Sequence, residues 1–185
     1  MPNLKPILLL MACSYFLMAC SPKLYNAENQ YESGSLSEAK IDSLKSFLKE
    51  NARAELRDTI FIKYDFNKDV CWNDLSYQNA TFLNDSRYAY QNYVKEKSAK
   101  RPTIAVYQYR QEGSSFSPIK SKGLEIETDS GYLKNLLFKE QTTCGTSAII
   151  LPTGKYLLVK SDSHFAALLL NGKEIEKLII GNLIK

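Results

Sequence analysis

The chain has a single histidine, His164, in 185 residues, and that scarcity removes several chemistries at once. A multi-histidine metal centre is excluded, and any histidine general base has to be that one ring. Glycine is thin as well, at eight residues. It forms no phosphate loop, dinucleotide fingerprint or hydrolase elbow. Charge of one sign is missing too: 24 Lys and Arg stand against 20 Asp and Glu, scattered along the sequence. A nucleic-acid binder would show a basic stripe, so no nucleic acid is expected as a partner. The densest basic stretch, Lys95 to Arg101, reads as the end of a helix, where cations suit the dipole. Tyr88, Tyr90 and Tyr93 before it suit a half-buried helix face. Long apolar runs are lacking in the body of the chain. Phe165–Leu170 is too short to cross a bilayer, and the run over 178–184 is broken by Gly181 and Asn182.

What is present begins at the N-terminus. Lys5 precedes an apolar run from Ile7 to Ala19, followed by Cys20 and Ser21. A basic residue, an apolar core of roughly 13 residues and a small residue before the cut have the layout of a secretory signal. Leu17-Met18-Ala19-Cys20 resembles the lipobox of bacterial lipoproteins. The resemblance implies cleavage by signal peptidase II before Cys20, a diacylglycerol on its sulfur and an acylated amino group. A second match, Leu10-Met11-Ala12-Cys13, would leave an apolar core of about six residues, below the ~7–15 of a signal. Cys13 is therefore expected to leave with the signal. Two or more acyl chains give stable attachment to a membrane, so the resemblance implies a lipid anchor. Ser21-Pro22-Lys23 lacks the Asp after the lipidated Cys that favours inner-membrane retention. The expected place is the outer membrane, with the body facing the periplasm.

The expected organisation is a signal over 1–19, a lipidated Cys20 with a polar tether over 20–36, and one globular domain over 37–185. That domain holds two cysteines, Cys71 and Cys144. An even count in an oxidising compartment implies a disulfide. It would close a loop of about 74 residues and contribute roughly 4 kcal/mol in the chain-entropy account. Working redox pairs are usually Cys-x-x-Cys, whereas the residue three after Cys71 is Asp74. Trp72 can cover the bridge or serve as a ligand anchor.

Periodicity predicts a helix from Ser37 carrying Ile41, Leu44, Phe47 and Leu48, then a strand over Thr59–Phe66. Asp85 or Ser86 is expected to cap a second helix to about Lys97, and Thr103–Tyr109 to form a second strand. Lys120–Thr128 reads as a weaker strand, before a short helix capped by Asp129 or Ser130. A hairpin follows, Thr146–Leu151 and Lys155–Lys160 around Pro152-Thr153-Gly154. Asp162 can cap a helix to Leu170. Asn171-Gly172 then reads either as its stop or as a hairpin turn, and Glu174–Ile184 as helix or strand.

This order predicts an α/β or α+β single domain with a mixed sheet. It is similar to the order of elements in thioredoxin-like domains. That resemblance implies that Cys71, just after the first core strand, and Cys144, just before the hairpin, are neighbours, so the bridge fits without strain. The chain departs from the family in lacking Cys-x-x-Cys. Its Pro before the hairpin is replaced by Thr143-Cys144-Gly145-Thr146.

Two other constellations stand out. Asp65-x-Asn67-x-Asp69 opens like a calcium loop, but Val70 and Ser76 occupy the places of its Gly and Glu, so an Asx-built turn is expected and no metal. His164 can be paired on paper with Ser161, Ser163 or Cys144 as a nucleophile, though no spacing demands it. The expectation is a membrane-tethered binding or structural domain with an envelope protein partner, without cofactor or catalytic residues. The alternatives are a thiol-dependent enzyme using Cys71 or Cys144, and a toxin-neutralising lipoprotein of the immunity type.

Overall fold

Strand β2, Thr59–Asp65, is buried along almost its whole length, which a strand achieves only at the centre of a sheet covered on both faces. The computed structural model describes residues 30–51, 55–69, 71, 78–113 and 123–183. Within them the other elements are β1 (Tyr31–Ser35), α1 (Glu38–Asn51), α2 (Ala80–Ala99), β3 (Ile104–Gln111), β4 (Glu127–Asp129) and α3 (Tyr132–Leu136). After these come β5 (Thr146–Ile150), β6 (Lys155–Lys160), a 3-10 turn over Ala166–Leu169 and α4 (Gly172–Leu183). The protein is a mixed α/β domain.

The six strands run in the order β1-β6-β5-β2-β3-β4. β2 is parallel to β3 and β3 to β4, while β2–β5, β5–β6 and β1–β6 are antiparallel. Side chains alternate across the sheet, and the two faces have separate cores. Ile60, Ile62, Tyr64 and Phe66 meet Leu44 and Leu48 of α1 and Leu133 next to Leu137 and Phe138. Phe61, Ile149, Leu157 and Val159 meet Val94 of α2, Ala167 and Leu168 of the turn, and Ile175 and Ile179 of α4. Tyr64 stacks on Phe138 with centroids 4.4 Å apart, and its hydroxyl donates to Asp129 Oδ2 at 2.9 Å. Burial and the neighbouring carboxylate hold that phenol well above its ordinary range.

Several boundaries differ from the sequence reading. Tyr31–Ser35, read as the end of the tether, is an edge strand that pairs with β6 from Tyr31↔Val159 to Ser35↔Lys155. Gly34 sits under the Tyr156 ring, where a Cβ would lie 2.4 Å from the hydroxyl oxygen. The second helix starts six residues before Ser86, because Asn79 rather than Asp85 caps it, accepting from Phe82 N–H at 2.9 Å. Of the expected strand over Lys120–Thr128, residues 120–122 lie outside the described residues, and β4 begins only at Glu127. The expected helix to Leu170 is the 3-10 turn over Ala166–Leu169, with Asp162 accepting its first N–H groups, and Asn171 turns no hairpin. It caps α4 reciprocally with Glu174: each side chain accepts the other's backbone N–H, at 3.1 and 2.8 Å. Asp129 caps α3 as expected, taking the N–H groups of Leu133 and Lys134 at 3.0 Å each. Among the described residues no helix is long and apolar enough to cross a membrane.

Candidate functional site

Cys71 and Cys144 are joined by a disulfide, with Cα atoms 5.0 Å apart. One belongs to the loop leaving β2 and the other to the loop entering β5. These strands are antiparallel neighbours with Tyr64 opposite Thr146, so the two loops meet at one end of the sheet. Both half-cystines are partly exposed. The expected neighbourhood of the two cysteines is therefore observed.

The sequence reading missed what lies beneath the bridge. Asp69, 1 % exposed, accepts from the backbone N–H of Cys71 and of Cys144 through the same oxygen, Oδ1, at 2.9 Å each. Its own N–H donates to Phe66 O at 3.0 Å, which closes the Asx-rich turn. The other oxygen, Oδ2, is buried without a hydrogen-bond partner. Burial, and then repulsion from Asp65, pushes the Asp69 carboxyl up to about 6, against the pull of Lys63 and the two N–H donors.

Lys63 completes the floor. It sits on β2 two residues before Asp65, so the two side chains share a face, and their ion pair spans 3.0 Å. The ammonium also donates to Cys144 O at 2.9 Å. Gly145 is tight against this pair: a Cβ there would lie 2.2 Å from Lys63 Nζ, and the backbone has φ of 72°. Thr142 Oγ1 donates to Gly145 O at 2.7 Å. On the other side of Gly145 O, Asp162 donates its N–H at 3.2 Å, tying in the loop after β6. That loop is itself fixed by Asp162, whose carboxylate accepts from Ser147 Oγ at 2.6 Å and from the N–H groups of Ala166 and Ala167.

Backbone strain gathers here. Among the described residues, the non-glycine residues with positive φ are Cys144 at 65°, Ser161 at 54° and Phe165 at 55°, all on these two loops. Each costs roughly 1–2 kcal/mol, and such residues collect where a structure holds a site in place.

Of the other expected site residues, His164 is exposed in the turn between Asp162 and Phe165. It takes no part in the hydrogen bonds described around the bridge. Trp72 and Cys20 lie outside the described residues. A signal for Lys63 and Asp65 was present in the sequence. Ile60-Phe61-Ile62-Lys63-Tyr64-Asp65-Phe66 places two opposite charges at alternate positions of an otherwise apolar strand. In a strand buried on both faces such charges have to find each other.

The Asp69 shift sets a pH dependence. Its carboxyl holds a proton more tightly in the fold than in the unfolded chain, where its value is 3.8. Stability from this group is thus fully present below pH 3.8 and is lost as pH rises through about 6. The loss has an upper bound of roughly 3 kcal/mol. Asp69→Asn is expected to gain stability relative to the parent at pH 8 and to lose most of that advantage at pH 4.5, measured by urea unfolding. A difference independent of pH would overturn this assignment.

No protein-family model and no curated protein matches this chain. Among solved structures, MTB DsbF in its mixed oxidised and reduced forms is similar at 9 % identity. The similarity covers 69 % of this chain and 82 % of that one, with a TM-score of 0.35. A likeness at that level carries no weight for function.

Proposed function

We propose that this protein is a lipoprotein of the bacterial outer membrane, anchored through Cys20 and facing the periplasm, whose bridged domain binds an envelope partner. The anchor is supported by Lys5, the short apolar run and Leu17-Met18-Ala19-Cys20. The binding role is carried by one observation: a single carboxylate oxygen of Asp69 holds the N–H groups of both half-cystines. The loops after β2 and before β5 are thereby fixed as one unit. They stand at the carboxyl end of β2, beside that of its parallel neighbour β3, and α/β sheets commonly bind ligands outside such ends. Neutralising a toxin is one form this binding can take.

Cys20→Ser is expected to move the protein from the membrane to the soluble fraction and to change its processed size. Unchanged fractionation and size would end the anchor reading. The binding role is tested by cross-linking in intact envelopes, comparing the parent with an Asp69→Ala variant that leaves the bridge in place. Enrichment of one partner that weakens without the Asp69 carboxylate supports it; equal or absent enrichment counts against it.

A second reading, thiol–disulfide exchange, is favoured by the partly exposed bridge beside the unpartnered Asp69 oxygen. Thiol trapping in a glutathione buffer separates the two. A structural bridge stays closed there, and an exchanging bridge opens.

A further inference from the structure

The bridge, once opened, leaves a set of side chains that no longer has covalent occupation. A carboxylate oxygen of Asp69 and the sulfurs of Cys71 and Cys144 all lie within 4.8 Å of one another. Asp69 is almost wholly buried, its Oδ1 is engaged by two N–H groups, and its Oδ2 has no partner. A buried acceptor left in that state costs roughly 1–3 kcal/mol unless something comes to meet it. We propose that the reduced chain binds one thiophilic divalent cation, of the Zn2+ class, through Cys71, Cys144 and Asp69.

The chemistry of the donors selects the ion. Two thiolates with one carboxylate suit Zn2+, while Mg2+ and Ca2+ prefer oxygen alone. Zn–S bonds of about 2.3 Å in a tetrahedral site put two sulfurs about 3.8 Å apart. The bridge Cα atoms stand 5.0 Å apart, so rotation of the two side chains supplies most of that separation. Three protein ligands leave a fourth position, and the partly exposed bridge gives water access to it. Lys63 does not contend for the site, because its ammonium is already held by Asp65 and by Cys144 O.

The steps balance. A dithiol reductant gives two electrons and two protons to the Cys71–Cys144 bond and becomes a disulfide. The two new thiols then release two protons as Zn2+ binds. Metal and bridge are mutually exclusive, so the site exists only in the reduced protein.

The test uses the full-length chain purified in detergent, reduced with excess dithiol and freed of reductant without oxygen. Zn2+ binding is read by competition with a chromophoric chelator, with circular dichroism to confirm the fold. One equivalent is expected to bind the reduced protein at least a thousandfold more tightly than the oxidised protein. Asp69→Asn is expected to weaken it at least tenfold, and Cys71→Ser or Cys144→Ser to abolish it. In the unmodified protein, Zn2+ is also expected to shield both thiols from alkylation, a readout that needs no variant. Equal affinity in the two redox states, binding unaffected by Asp69→Asn, or a bridge that opens only as the domain unfolds would each overturn the proposal.

Discussion

Lys63→Ala is expected to destabilise the domain by about 3–5 kcal/mol, the usual result of stranding one member of a buried ion pair. The Lys63 side chain is 3 % exposed and that of Asp65 8 %, with 3.0 Å between the charges. Removing the ammonium leaves the Asp65 carboxylate buried without its counter-ion, close to a second carboxyl, Asp69, that already feels its repulsion. It also takes away the donor to Cys144 O. Thermal unfolding should fall by on the order of 10 °C for a domain of this size. Replacing both residues by apolar ones of similar volume, Lys63→Met with Asp65→Leu, is expected to recover most of the loss. That follows because a buried pair contributes little beyond cancelling its own desolvation. A single variant as stable as the parent would show that the pair is not buried in solution.

Opening the bridge is the second large effect. The disulfide spans 73 residues, and constraint of the unfolded chain over such a loop is worth about 4 kcal/mol. The Cys71→Ala/Cys144→Ala variant and the fully reduced parent, without metal, should lose stability by similar amounts in urea unfolding. The folded network around Asp69 does not depend on sulfur, since it holds backbone N–H groups. The variant is therefore expected to keep its near-native circular dichroism while its midpoint falls. A loss below about 1 kcal/mol would mean that the unfolded chain gains little freedom, contrary to a structural role for this bond.

Much of the architecture was legible because local signals and burial agreed. Thr59–Asp65 is rich in β-branched and aromatic residues, and Pro152-Thr153-Gly154 marks a tight turn between two such runs. The paired cysteines were legible too, from an even count in an expected oxidising compartment, and their nearness only from the resemblance in element order. β1 was not, because an edge strand needs little apolar surface and Tyr31-Glu32-Ser33-Gly34-Ser35 reads as polar chain. Its identity comes from a distant partner, β6, with which it pairs from Tyr31↔Val159 to Ser35↔Lys155. The start of α2 was misplaced for a different reason. Asn79 caps the helix, yet Asn84, Asp85 and Ser86 offer equally good capping chemistry and simply lie on the helix. Asp69 reads from the sequence as a turn residue, and its backbone is one. Its side chain binds atoms 75 positions away, at Cys144, and only the closed fold brings them together.

The pairing of β1 has a directional result for the whole molecule. Tyr31 lies opposite Val159, Gln30 O accepts from Lys160 N–H at 2.8 Å, and Lys160 lies opposite Thr146, two residues after Cys144. The chain thus enters the sheet at the same pole that carries the disulfide. Only nine residues separate Cys20 from Gln30, a leash that cannot exceed about 35 Å at full stretch. With the acyl anchor we propose, the pole that carries the bridge stays within that reach of the lipid surface.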